Sequence, residues 1–137
     1  MTILDTSVII DARTPGSEFH DWAREQIFEN IEDGVIVNTI ALAEASIQAS
    51  NKDEIVEDLE SFGLQLRSLP VSAAKPAAIA YAAYLSRLRA EGKTGKSKIP
   101  LGDFFIGAHA AAENLKLITR DPKRIKTYFP QVEITSP

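Results

Sequence analysis

Short, continuous apolar runs alternate along this chain with longer stretches of helical periodicity, and the alternation predicts strands and helices in turn. Ile3-Leu4 opens an apolar run that Asp5-Thr6-Ser7 interrupts before Val8-Ile9-Ile10 resumes it. We read a buried strand ending at Asp5, then a short helix through Ile10 capped by Ser7 or Thr6. The turn residues Thr14-Pro15-Gly16 precede Phe19, Trp22, Ala23, Ile27 and Ile31, whose spacing predicts a helix to about Asp33. Gly34 ends it, Val35-Ile36-Val37 forms the second strand, and Asn38 or Thr39 caps a helix from Ile40 to Ser50. Asn51 to Glu54 has the form of a capping box for a helix that carries Ile55, Val56, Leu59 and Phe62 on one stripe and stops at Gly63.

The second half continues in the same way. Leu64 to Leu69 holds a third strand closed by Pro70, and Val71-Ser72 is staple and cap for a long helix with Pro76 in its first turn. Ala77, Ala80, Tyr81, Tyr84, Leu85 and Leu88 are its buried face up to Gly92. Asp103 to Ala112 is apolar on nearly every face after its first residue, which predicts a buried helix with an acid in its first turn. Leu115 to Thr119 is the fourth strand. Asp121 caps and Pro122 opens a helix to about Tyr128, and Val132-Glu133-Ile134 adds a short edge strand. This is the pattern of an α/β protein, and 137 residues with 45% hydrophobic content make one ordinary core, a single domain over residues 1–137.

Composition narrows the chemistry. With no Cys, disulfides, thiolate zinc sites and cysteine nucleophiles are excluded, and His20 and His109 lie too far apart to suggest a histidine metal site. Any metal would be held by oxygen. The first residues lack a basic segment, and Asp5 breaks the apolar run, so neither a signal peptide nor a membrane span is expected; the expected location is cytoplasmic. A net charge of −4 argues against nonspecific nucleic-acid binding over the whole surface. The Gly-Lys-Thr and Gly-Lys-Ser triplets between Gly92 and Lys98 are not a P-loop, because Arg87 and Ala90 stand where that motif needs glycine and the loop follows a helix.

Four acids occupy comparable places. Asp5 and Asp121 follow strands, whereas Glu44 and Asp103 sit in apolar helices. Each has a local explanation, Asp5 as a helix cap among them. If the strands are parallel, all four converge on one edge of the sheet, where buried carboxylates repel one another unless a cation neutralises them. Magnesium, which prefers oxygen ligands, suits such a set, and such sites handle phosphate esters.

In these residues the chain resembles the PIN-domain ribonucleases, and within them the VapC-type toxins of type II toxin–antitoxin systems. The resemblance rests on Leu4-Asp5-Thr6-Ser7-Val8-Ile9-Ile10, Ala43-Glu44, the run from Leu101 to Ala110 around Asp103, Leu117-Ile118-Thr119-Arg120-Asp121-Pro122, and the closing Lys123 to Pro130. It implies a PIN-like three-layer fold: a central twisted parallel sheet of four to five strands between helices, with strand 1 in the middle. It further implies an endoribonuclease in which Asp5, Glu44, Asp103 and Asp121 are catalytic and hold one or two Mg²⁺ or Mn²⁺ ions, supported by Ser7, Thr6 and Thr119. The expected products carry a 5′-phosphate and a free 3′-hydroxyl. The implied partners are an RNA substrate, a cognate antitoxin and a second copy of the chain.

Arg13, Arg87, Arg89, Lys93, Lys96 and Lys98 are candidates for RNA backbone contact. Asp11 is read as a helix-end or loop residue, His109 as a packed or dimer-contact histidine, and Trp22 as core. Haloacid-dehalogenase-like phosphatases need a second Asp where this chain has Ser7, and receiver domains need an acceptor Asp where it has Leu69-Pro70-Val71. The competing reading from a different class is a catalytically inactive PIN-fold scaffold that binds a partner protein.

Overall fold

The computed structural model describes residues 1–93 and 101–137. The predicted alternation is realised as β1 (Thr2–Leu4), α1 (Thr6–Ala12), α2 (His20–Asn30), β2 (Val35–Asn38), α3 (Thr39–Gln48), α4 (Glu54–Ser61), β3 (Gln65–Arg67), α5 (Ala74–Ala90), α6 (Leu101–Glu113), β4 (Lys116–Ile118), α7 (Pro122–Tyr128) and β5 (Ile134–Thr135). All pairings are parallel, in the order β3-β2-β1-β4-β5. Ile3 faces Ile36 on one side and Leu117 on the other. Ile3, Leu4, Ile36, Val37, Leu117 and Ile118 are wholly buried, which is why these strands are unbroken apolar runs instead of alternating ones.

The order of the strands positions the site. From β1 the chain winds through β2 to β3 on one side, then crosses to β4 and β5 on the other. The winding therefore reverses between β1 and β4, and the carboxyl ends of those two strands flank the crevice where an open α/β sheet admits a ligand. Asp5 follows β1, and Thr119, Arg120 and Asp121 follow β4. The Asp5 N–H donates to Ile118 O at 3.0 Å and extends the ladder to the acid itself.

Two further contacts fix the helices that carry the remaining acids. Asn38 caps α3, its Oδ1 accepting from Ala41 N at 2.9 Å, while its Nδ2 lies 3.2 Å from Nδ1 of the fully buried His109 on α6. His109 Nε2 is 2.5 Å from Glu113 Oε1, so the imidazole is a packed strut between β2, α3 and α6. Below it Gly107 lets α6 approach the chain end: a Cβ there would stand 2.6 Å from the Phe129 ring. Gly107→Ala is expected to destabilise the protein by about 1–3 kcal/mol through overpacking, read as a lower urea midpoint at unchanged slope.

Some local signals fall out differently. The cap of α1 is Asp5, whose Oδ1 accepts from Thr6 N at 2.8 Å, and not Thr6 or Ser7. The expected capping box at Asn51 and Glu54 does not form. Asn51 Oδ1 instead accepts from Asp53 N at 3.0 Å, and Glu54 is already the first helical residue. Ser72 does not cap α5, because a 3-10 turn at Val71–Ala73 runs straight into it. Asp121 stands at the N-cap of α7 without a side-chain capping bond.

Candidate active site

Two threonines tie the acids to the backbone. Asp5 accepts through both oxygens, Oδ1 from Thr6 N and Oδ2 from Thr119 Oγ at 2.7 Å. The same Thr119 oxygen accepts from Asp121 N at 3.0 Å, so one buried hydroxyl fixes the acids that follow β1 and β4. Thr6 Oγ donates to Glu44 Oε1 at 2.9 Å, joining α1 to α3. Gly102 leaves room there: a Cβ at this residue would come within 3.4 Å of Glu44 Oε1. Asp103, one residue on, bonds through Oδ2 to Arg124 Nη1, and Arg124 Nη2 lies 3.7 Å from Asp121 Oδ2.

The result is a cleft of about 430 Å³ lined by Asp5, Thr6, Ser7, Phe19, Asp103, Arg120, Asp121 and Arg124. Three of the four expected acids line it, and Glu44 stands behind Thr6. Among the described residues, no three acids or histidines are gathered closely enough to constitute a ready metal cage. The carboxylates are engaged by Arg124, Thr6 and Thr119 instead. The donor set still fits a hard cation, being oxygen throughout, and the buried Ser7 Oγ on the cleft wall has no hydrogen-bond partner among the described residues.

The electrostatics agree with that fit. Burial pushes the Asp103 carboxyl up to about 6, the neighbouring charges of Asp5, Glu44 and Asp121 add to the rise, and Arg124 opposes it. Burial likewise raises Asp5, against the hydrogen bonds from Thr119 and Thr6. A carboxyl raised in the folded state stabilises the fold when protonated: that contribution is complete below its unfolded value near 3.8 and is lost as pH rises through about 6. Metal-free protein is therefore expected to lose stability between about pH 4 and pH 6, and Asp103→Asn is expected to flatten that slope in urea unfolding measured across the range.

The remaining expected residues are dispersed. Arg13 is bound to Asp58 at 2.9 Å and does not line the cleft. Arg87 reaches Tyr128 Oη at 3.3 Å and Glu91 at 3.2 Å, and it shares a depression with Asp121, Lys123 and Arg124. Lys93 pairs with Glu91 and Arg89 is exposed. Lys96 and Lys98 lie outside the described residues. Trp22 is half-buried, packing against the core and edge-on to Phe19. Asp11, expected at a helix end or in a loop, lies in the last turn of α1, buried and paired with Arg120.

The sequence reading passed over Arg120, Arg124 and the cleft position of Phe19. Arg124 carried a usable signal, because it follows Asp121 by three residues on a helix and so stands over it.

Residues 2–130 match the family model described as PIN domain. No curated protein matches the chain. Among solved structures, the DNA-bound VapBC from Salmonella typhimurium superposes with a TM-score of 0.69 at 20% identity, over 99% of this chain and 98% of that one. FitAcB from Neisseria gonorrhoeae gives 0.66 at 24% identity, over 100% and 98%. VapBC-5 from Mycobacterium tuberculosis, described as a member of the VapBC family of toxin–antitoxin systems, gives 0.56 at 22% identity, over 99% and 98%.

Proposed function

The chain belongs to the PIN domain family, and from that premise we propose that it is a divalent-metal-dependent endoribonuclease acting as the toxin of a toxin–antitoxin pair. The observation that carries this reading is the cleft at the β1–β4 switch point, where Asp5, Asp103 and Asp121 share one wall system with a Ser7 hydroxyl that has no hydrogen-bond partner among the described residues. Asp5, Asp103 and Asp121 would hold Mg²⁺ or Mn²⁺, with Glu44 reaching the site from behind Thr6. Such an ion, when bound, supplies positive charge to the attacked phosphate and makes water more acidic. The chain's own part is positional. Thr119 and Thr6 hold Asp5 in one orientation, and the Thr119 hydroxyl also sets the Asp121 backbone. RNA cut here is expected to carry a 5′-phosphate.

The antitoxin reading has its own support. Phe28 is 80% exposed, and with Ala12, Ile27, Ile31 and Phe62 it lines an apolar groove of about 370 Å³ across α1, α2 and the end of α4. A groove of that kind suits the apolar face of a partner's helix. Phe28→Asp is expected to leave the melting temperature unchanged and to abolish co-purification with the antitoxin. A second copy of the chain and a cytoplasmic location remain part of the proposal. No described helix is long and apolar enough to cross a membrane.

The test is cleavage of total and transfer RNA by purified, partner-free protein with Mg²⁺, Mn²⁺ or EDTA. Cutting that EDTA stops supports the nuclease. One observation favours the scaffold alternative, namely that Arg124 already pairs with Asp103 and lies 3.7 Å from Asp121, so one positive charge stands among these acids. Absence of both cutting and calorimetric metal binding would decide for it.

A further inference from the structure

Two side chains lining the cleft take no part in holding its acids. The Arg120 guanidinium lies over the Phe19 ring, 5.2 Å from its centroid, and its Nε is 2.9 Å from Asp11 Oδ2, an ion pair that falls outside hydrogen-bond geometry. Asp11 is almost wholly buried on α1 and also accepts from Ser17 Oγ at 2.6 Å, while its backbone oxygen lies 2.9 Å from His20 Nδ1. One buried carboxylate therefore fastens the loop that carries Phe19 to the segment that carries Arg120. Phe19 occupies the N-cap of α2, a position that favours a short polar side chain able to bond the helix end, and it makes no such bond. Its ring lies instead beneath a guanidinium at the cleft.

Arg120 keeps 39% of its side chain exposed, and among the described residues it has no partner other than Asp11 and Phe19. We propose that the Arg120 guanidinium, backed by Phe19 and anchored by Asp11, is a nucleotide subsite on which one base of a single-stranded RNA stacks beside the phosphate to be cut. The assignment rests on the nuclease reading above. A flat cation held from behind by an aromatic ring and from the side by a carboxylate has lost its freedom before the ligand arrives, so its open face receives a base without further ordering. Arg24 lies over Phe62 at the same 5.2 Å but outside the cleft, which makes it the matched control.

The experiment uses single-stranded oligoribonucleotides carrying 2-aminopurine at successive positions, with Ca²⁺ as the cation, and steady-state cleavage with Mg²⁺ beside it. Quenching on binding is expected at one position, and an abasic nucleotide at that position is expected to weaken binding to the wild-type protein by about tenfold. Arg120→Lys keeps the charge and loses the plane. It is expected to abolish the quenching, to become indifferent to the abasic substitution, and to raise KM more than it lowers kcat, with Phe19→Leu acting in the same direction and Arg24→Lys without effect. Wild-type protein that cuts RNA but shows no position-specific quenching or abasic penalty overturns the subsite alone, as does an Arg120→Lys protein that matches wild type in quenching and KM. Wild-type protein that neither binds nor cuts RNA overturns the nuclease reading and the subsite with it.

Discussion

Asp5→Asn is expected to reduce RNA cleavage on the order of a thousandfold, equivalent to about 4 kcal/mol of transition-state stabilisation, while leaving the metal-free fold as stable as wild type or more so. The two halves of the expectation have separate causes. Asparagine caps a helix as well as aspartate does, so its oxygen can still accept from Thr6 N, and the amide can donate to Thr119 Oγ where the carboxylate now accepts. What the substitution removes is a buried charge, whose cost appears as the raised protonation equilibrium of Asp5. Activity falls because an amide is a poorer ligand for a hard cation than a carboxylate. Urea unfolding in EDTA, beside initial cleavage rates in Mg²⁺, separates the effects. Activity retained at unchanged metal-free stability would make Asp5 a helix cap and nothing more.

That double role of Asp5 shows where sequence reasoning reached and where it stopped. The unbroken apolar runs of Ile3-Leu4, Val35-Ile36-Val37 and Leu117-Ile118 announce strands buried on both faces, and a carboxylate at the end of such a run can be placed without coordinates. Register and side-chain partners cannot. Asn51 and Glu54 satisfy the capping-box spacing, yet the chain resolves the segment as an Asn-led turn because Asn51 binds two residues ahead instead of three. Arg13 has the composition of an RNA contact and is taken by Asp58, 45 residues away, a pairing no local pattern encodes. Phe19 shares helical spacing with Ile27 and Ile31 and so passes for core, whereas the turn ahead of α2 carries it to the cleft. For Arg13 and Phe19 the missing information is a long-range contact, and for Phe19 it concerns the side chain with the least local reason to be where it is.

Arg124→Ala is expected to destabilise metal-free protein at pH 8 by about 1–2 kcal/mol, between the values of exposed and fully buried ion pairs, since Arg124 and Asp103 are both partly exposed. Without the guanidinium, Asp103 faces Asp5, Glu44 and Asp121 with no counter-charge among the described residues, and its protonation equilibrium, already at about 6, moves higher. The sign of the pH effect follows. A more strongly raised folded-state value means that stability is lost as pH rises through a higher range, so the deficit should be large at pH 8 and should shrink toward pH 5, where a protonated Asp103 needs no counter-ion.

The same deletion should tighten Mg²⁺ binding, because the cation no longer competes with a tethered arginine. Mg²⁺ at 100 times its dissociation constant would then restore about 2.7 kcal/mol, more than the deletion removed. Unfolding at both pH values with and without Mg²⁺, together with calorimetric titration, tests the chain of reasoning. Equal stability at pH 8 and unchanged Mg²⁺ affinity would reduce the Arg124–Asp103 contact to a surface pair. If the deletion behaves as expected, the acids of the cleft are held at neutral pH by a cation of the chain's own. Any basic side chain that an antitoxin places among them must then displace Arg124, just as the metal must.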